Sequence, residues 1–556
     1  TCLYKATESP QIPYGGRLIR IYISCKTQKS GISDKNTKNI CTNQIKSLPL
    51  QRKNIKIIRY EFAKSTFRGG IKITFMDSLI GRTKEVDELK RLYISKKSEF
   101  VAVYGRRRVG KTFLIDEALR GKITFRHAGL SPIDESGQSN NLKQQLLHFY
   151  QSLQLHGMRK SRCPKNWLEA FFMLEQHLQQ TDNGSRQVIF LDELPWMDTP
   201  RSGFITALES FWNTWACHRQ NIMLVVCGSA NSWMIDNLVN NHGGLYGRTT
   251  YEIKLSPFNL MECELFYKSR GIRMSRYDIA QANMILGGIP YYMNYFQRAK
   301  SLAQNIDELF FAKNAKLNNE FTRLFQSVFS NPEQMMRIVR TLAMKRKGYT
   351  REELATTAQI TINGELTKWL NALVASDFIE KYVPFGESKR NIHYKLIDPF
   401  CLFYLRFIEG QKEMDNEFWM NNVLSPKINA WRGYAFEDLC FRHVDQIKRA
   451  LQIGGISSTQ SAWSVIGDNE HEGTQIDLLI SRKDNIVNLC EMKFYSEDFA
   501  VNKSYHQKLV HRTNLLLEHL SRKTAIHPIL ITTYGLEYNE YSNDFMHTIT
   551  LDELFV

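Results

Sequence analysis

Tyr104-Gly-Arg-Arg-Arg-Val-Gly-Lys-Thr112 follows the apolar run Phe100-Val-Ala-Val103 and precedes a helix-like stretch, Phe113-Leu-Ile-Asp-Glu-Ala-Leu119. Gly105, Gly110, Lys111 and Thr112 fit the spacing G-x-x-x-x-G-K-[ST]. Glycines so placed let consecutive backbone N–H groups curl around phosphate oxygens, and the helix that follows aims its positive N-terminal end at the same charge. With Arg106, Arg107, Arg108 and Val109 they form the expected phosphate cradle. Lys111 is expected to neutralise β and γ phosphates, and Thr112 to offer its hydroxyl to Mg²⁺.

A loop of this kind needs an acid nearby, and Arg186-Gln-Val-Ile-Phe-Leu-Asp-Glu-Leu194 supplies two. Val188 to Leu191 read as a buried strand, and in a parallel sheet the acids that end it emerge beside the phosphates. Asp192 is expected to hold Mg²⁺, directly or through water, and Glu193 to polarise the attacking water. Upstream, Val86, Leu89 and Leu92 share a helical face. From Phe100 to about Met234 apolar strands alternate with helical stretches, which predicts an α/β fold with helices on both faces of a parallel sheet. Its next strand, Met223 to Cys227, ends in Gly228-Ser-Ala-Asn231, where Ser229 or Asn231 either contacts the γ-phosphate or caps a helix. Arg248, closing Gly243-Gly-Leu-Tyr-Gly-Arg248, either stabilises transferring phosphate, in cis or in a neighbouring subunit, or is a surface guanidinium. A helical lid is expected from Pro257 to about Lys316.

The chain has 556 residues and 43% hydrophobic content, enough for several domains of soluble globular type. No apolar run approaches the roughly 18 residues of a membrane span, and no secretory leader pattern is present, so a cytoplasmic protein without membrane association is expected. Ten cysteines without a C-x-x-C pair argue against zinc and against a disulfide framework. The net charge of +17 is concentrated: residues 1–75 hold 15 Lys/Arg and 3 Asp/Glu, a net +12. That segment reads either as a disordered basic arm that binds nucleic acid or as a translated leader ahead of Met76.

Ile80-Gly81-Arg82, the loop GRRRVGKT, the strand VIFLDEL, CGSANSW, LYGRT and GGIPYYM occur in this order. Taken together they resemble the archaeal and bacterial AAA-type ATPases of the STAND class. The resemblance covers roughly residues 76–410 and implies ATP with Mg²⁺ as cofactors. It implies a core over 76–235 and a lid over 236–320, in which Gly288-Ile-Pro290 brings Pro290 near the nucleotide. It also implies a C-terminal domain resembling the restriction-endonuclease fold.

Residues 321–410 carry a winged-helix pattern. Thr350-Arg-Glu-Glu353 is a capping box, Leu366, Trp369, Leu370 and Leu373 share a face, and two strands, Phe378–Val383 and Ile392–Leu396, make the wing. Such a module reads DNA with its second helix, but here that helix offers only Lys368 and Asn371 outward; the usual role in STAND proteins is nucleotide sensing. In 425–556, Glu437 shares a helical face with Cys440, Phe441 and Val444, an odd place for a carboxylate without a partner. Ile476-Asp-Leu-Leu-Ile480 and Ile486–Phe494 read as a hairpin around Lys483-Asp-Asn485. Asp477, Glu491 and Lys493 then match the D…E-x-K arrangement of restriction-type nucleases, in which two carboxylates bind Mg²⁺ and lysine orients water. Glu437 stands where related nucleases carry a further acid. Two readings follow: an ATPase controlling a DNA-cleaving terminus, or a STAND-type nucleotide switch or scaffold whose terminus is an inactive binding module.

Overall fold

The computed structural model describes residues 79–132, 140–240, 243–388, 390–411, 415–465 and 473–556, and the backbone of two short strands, β1 (Gln11–Tyr14) and β2 (Arg17–Arg20), which pair antiparallel. The readings made on the remainder of 1–78 lie outside the described residues.

After α1 (Thr83–Tyr93) comes the loop strand β3 (Glu99–Tyr104), then α2 (Lys111–Ala118), β4 (Ile123–Ala128), α3 (Leu142–Leu155), α4 (Trp167–Gln180), the acid strand β5 (Gln187–Asp192), β6 (Ile222–Gly228) and β7 (Tyr251–Lys254). The five strands form one parallel sheet in the order β4-β5-β6-β3-β7. This is the expected α/β architecture, and it sets β6 between the loop strand and the acid strand. The strands read as unbroken apolar runs because both faces of the sheet are covered. Val101, Val103, Val188, Phe190, Met223 and Val225 point into one core with Leu89 and Leu92 of α1 and Leu114 and Ile115 of α2. Phe100, Ala102, Ile189, Leu191, Leu224 and Val226 point into the other, with Leu146 and Phe149 of α3 and Trp167 and Phe171 of α4. Asn141 and Asn166 start α3 and α4 by accepting from the backbone N–H three residues on.

The first core continues into α5 (Leu260–Ser269), α6 (Arg276–Leu286), the helical turn Pro290–Met293 and α7 (Glu320–Val328). Next, α8 (Pro332–Leu342), β8 (Tyr349–Thr350), α9 (Arg351–Ala358), α10 (Gly364–Ala375), β9 (Ile379–Tyr382) and β10 (His393–Leu396) build a three-stranded antiparallel sheet of order β8-β10-β9 backed by helices. Thr350 and Glu353 make the expected capping box, and Leu366, Leu370 and Leu373 are buried. Asp398 caps α11 (Pro399–Phe407) by accepting from the Cys401 N–H at 2.8 Å.

Past α12 (Pro426–Arg442), a five-stranded sheet runs in chain order: β11 (Ser458–Val465), β12 (Thr474–Arg482), β13 (Ile486–Lys493), β14 (Ala525–Thr532) and β15 (His547–Thr550). It is antiparallel up to β13 and parallel beyond, with α13 (Lys503–Glu518) making the crossover. Cys490 and Met492 of β13 join the core shared with α12, while Val487 and Leu489 face Leu509 and Leu516 of α13. Tyr277 of α6 stacks on Phe494, and Arg276 pairs with Asp552 at 3.0 Å, so the terminal sheet packs against α6 within one compact unit, Leu79–Val556. No helix among the described residues is long and apolar enough to cross a membrane.

Candidate nucleotide site

The loop turns back on its own lysine. Lys111, the first residue of α2, is buried, and its Nζ donates to Gly105 O at 2.9 Å, Arg106 O at 3.2 Å and Ser229 Oγ at 3.0 Å. Burial pulls the amine's pKa below its ordinary value, with Glu193 acting in the opposite sense. Thr112 Oγ1 donates to Asp192 Oδ2 at 3.0 Å. The other Asp192 oxygen accepts from the Glu193 N–H at 3.0 Å and from the Cys227 thiol, whose pKa is pushed well up by burial and then by Asp192.

Glu193 follows the last residue of β5 and sits in the left-handed region, φ 46°. A non-glycine residue held there stores strain, and such positions cluster where geometry serves chemistry. Both of its carboxylate oxygens are engaged by one residue, accepting from the Ser229 N–H at 3.1 Å and Oγ at 2.8 Å. Ser229 therefore links Lys111 to Glu193, a placement that follows from β6 lying between β3 and β5. Asn231, named with Ser229 for the γ-phosphate, is buried, accepting from Gly105 N–H at 2.8 Å and donating to Ala375 O at 3.0 Å.

A family described as an ATPase domain predominantly from Archaea matches residues 79–296, fewer than half of the chain. Residues 79–296 are a P-loop ATPase domain. The uncharacterized protein MJECL04 of Methanocaldococcus jannaschii is 22% identical over 433 residues, 77% of this chain and 90% of that protein. Among solved structures, the Walker-type ATPase of Pyrococcus abyssi is 18% identical and covers 59% of this chain and 96% of its own, with a TM-score of 0.41. The ORC2 protein of Aeropyrum pernix, in ADPNP–ADP complexes, is 13% identical and covers 60% and 95%, with a TM-score of 0.35.

Within the ATPase domain the three loop arginines part company. Arg106, expected among the nucleotide contacts, directs its side chain away from the loop: the guanidinium pairs with Asp398 at 2.8 Å, both side chains 2% exposed, and lies 5.2 Å from the Phe378 ring. Burial works against its charge and Asp398, with Tyr292, Cys401 and Glu320 behind it, brings the pKa out above the ordinary value. Arg107 lies 5.4 Å over the Trp196 ring. Arg108, at φ 73°, pairs with Glu320 and lies 4.3 Å over Tyr291. Glu320 also accepts from the Tyr292 hydroxyl at 2.8 Å. Pro290 is the first residue of the turn that presents both tyrosines, so it lies next to groups that touch the loop. Val109 is core. Arg248 is exposed on a turn whose backbone N–H donates to Leu245 O at 3.1 Å.

The terminal acids are arranged differently from expectation. Glu491 is buried; Oε1 accepts from Arg512 at 2.6 Å, Oε2 accepts from the Tyr505 hydroxyl at 2.6 Å, and Lys493 Nζ stands 3.6 Å away. The register Leu478↔Cys490 leads, one step on, to Asp477 beside Glu491, and Asp477 accepts from Gln475 at 2.6 Å. Glu437 pairs with Arg346, and burial followed by the charge of Asp477 pushes its carboxyl up to about 7. Of the expected metal set, Glu491 and Glu437 are paired to arginines and Asp477 accepts from Gln475, and among the described residues no group of three or more His, Cys, Asp or Glu is disposed to hold a metal.

Proposed function

We propose that the chain binds ATP with Mg²⁺ and hydrolyses it, and that the relay Lys111–Ser229–Glu193 is the resting form of its catalytic machinery. The observation that carries this is Ser229, which binds the phosphate-neutralising amine and the water-polarising carboxylate at once. Thr112 and Asp192 are hard oxygen donors 3.0 Å apart at the N-terminus of α2, the donor type that Mg²⁺ takes, and they would hold it. The metal would supply charge neutralisation at the phosphates. Gly105, Gly110 and the loop backbone cradle the phosphates. Lys111, exchanging its carbonyl and hydroxyl acceptors for phosphate oxygens, leaves Ser229 free to turn toward the γ-phosphate. Glu193, released from Ser229, orients water. Arg248, exposed, completes the site of a neighbouring copy in this reading.

The remainder of the chain is read as a core to residue 235, a lid to 320, a nucleotide-sensing winged helix to 410 and a restriction-endonuclease-like domain over 425–556, in a STAND-class cytoplasmic protein acting on DNA. The pairing of Glu491 and Glu437 with arginines favours a second reading, in which the terminus is a binding module or scaffold. Turnover and binding by two variants test the ATPase assignment. Lys111→Ala should abolish ATP binding, whereas Glu193→Gln should keep it and lose turnover by about 10²–10⁴-fold, the usual worth of a general base. Equal loss of binding in both variants refutes the roles given.

A further inference from the structure

Lys395 of β10 and Asp438 of α12 pair at 2.7 Å, and the space beside that pair is a cavity of about 270 Å³. Its walls come from three parts of the chain: Glu380 of β9 with Lys395 of β10, then Asp438, Phe441 and Arg442 at the end of α12, and Gln460 of the edge strand β11. Phe385 N–H donates to Ala462 O at 2.9 Å, which fastens the segment after β9 to β11. Junctions between separately built elements are where small-molecule sites commonly form.

The charges around this cavity do not close among themselves. Arg442 makes no ion pair among the described residues: its Nε donates to the Asp438 carbonyl at 3.4 Å, and its Nη2 has no hydrogen-bond partner. The carboxylates whose field reaches it are taken, Asp438 by Lys395 and Asp398 by Arg106 at 2.8 Å. His443, the next residue, supplies no anion; its Nε2 accepts from the Leu260 N–H at 3.3 Å. Burial accordingly pulls the Arg442 pKa below its ordinary value. Glu380 is the converse. It makes no ion pair among the described residues, and the cation whose field reaches it, Lys395, is the one that Asp438 holds. Burial pushes its carboxyl up. One cation and one anion are thus left over on the lining of a single cavity.

A charge taken out of water without a counter-charge costs free energy, and a ligand that brings both missing charges recovers it at both ends. We propose that this cavity binds a compact zwitterion, an α-amino acid, with its carboxylate on Arg442 and its ammonium on Glu380. Arg442 suits a carboxylate because the guanidinium fork matches two oxygens at once. The volume restricts the class further. Drug-sized ligands occupy pockets of about 300–1,000 Å³, and a cavity just below that range admits only a molecule of few atoms. For its side chain the lining offers the amide of Gln460 and the ring of Phe441.

Calorimetric titration of the full chain with each of the common α-amino acids tests it. At least one should bind at one site per chain, and Arg442→Met and Glu380→Gln should each weaken that amino acid about tenfold or more, the usual worth of a hydrogen bond to a charged group. The two ends are separable in the ligand as well as in the protein. The amide of the same amino acid, which has lost the carboxylate, should bind wild type and Arg442→Met alike, and its N-acetyl form should bind wild type and Glu380→Gln alike. An N-acetyl form as tight as the parent overturns the zwitterion and leaves an anion site only. Binding that neither substitution moves puts the amino acid elsewhere, and no binding at all removes the site; either result overturns the assignment. Should Arg442→Met fail to melt cooperatively, Arg442→Lys, which keeps the charge and loses the fork, carries the same expectation, and the two modified ligands read the same contacts in unaltered protein.

Discussion

Asp398 serves two partners at once, capping α11 with one oxygen and neutralising a fully buried arginine of the phosphate loop with the other. Taking a carboxylate away from a buried guanidinium leaves a charge that neither water nor protein compensates. Asp398→Ala should therefore cost about 3–5 kcal/mol, read from urea unfolding midpoints, and Arg106→Met in that background should restore part of it. An unchanged midpoint would show that the charge of Arg106 is satisfied elsewhere. This pair was illegible in the sequence for a physical reason. The loop motif fixes what the backbone does at 105–112 and says nothing about where the arginine side chains go, and the partner is nearly three hundred residues downstream. Lys111, Thr112, Asp192 and Glu193 were legible because their chemistry demands those residue types at fixed places in a strand–loop–helix. Glu437 was half legible: a carboxylate on an apolar helical face required a partner, and nothing local named Arg346.

The segment after β7 is pinned to the turn before Pro290 by a close backbone approach. Gly288 O accepts from the Phe258 N–H at 2.8 Å, and at φ 68° a Cβ on Gly288 would lie 2.2 Å from Phe258 O. Both the dihedral and the contact exclude a side chain, so Gly288→Ala should cost about 1–3 kcal/mol in the denaturant midpoint. It should also weaken ATP binding, because the turn it displaces presents Tyr291 and Tyr292 to Arg108 and Glu320. Full retention of affinity would detach that turn from the site. Elements whose pattern is strong were readable: β3, β5 and β6 as unbroken apolar runs, α9 from its capping box, the β12–β13 hairpin from its polar turn. β7 was not, since an edge strand of four residues buries only Ile253 and carries no periodic signal. α13, which packs on the terminal sheet, and β14, a strand of it, were not recognised either; α13 buries only Leu509, Leu515 and Leu516 among sixteen residues.

At the scale of the whole molecule, one apolar core runs from α1 through α5, α6 and the small sheet into Ile549 and Phe555. Residues 425–556 share that core: α6 packs on α12, and the end of the chain, Leu551–Phe555, packs on α5 and α6. Cutting after residue 424 should uncover that face: the 79–424 fragment should bind ANS and melt at lower temperature and less cooperatively than 79–556. A fragment that melts like its parent would refute the shared core. The strand order carries a consequence in time as well. β3 has only β6 and β7 for neighbours, and the nearer of these in sequence begins about 120 residues after β3 ends. At translation rates of roughly 5–20 residues per second, the ribosome leaves Glu-Phe-Val-Ala-Val-Tyr unpaired for about 6–24 seconds. Throughout that interval the nascent ATPase exposes an uncapped apolar strand, and its yield in the cell becomes a matter of what shields that strand before β6 emerges.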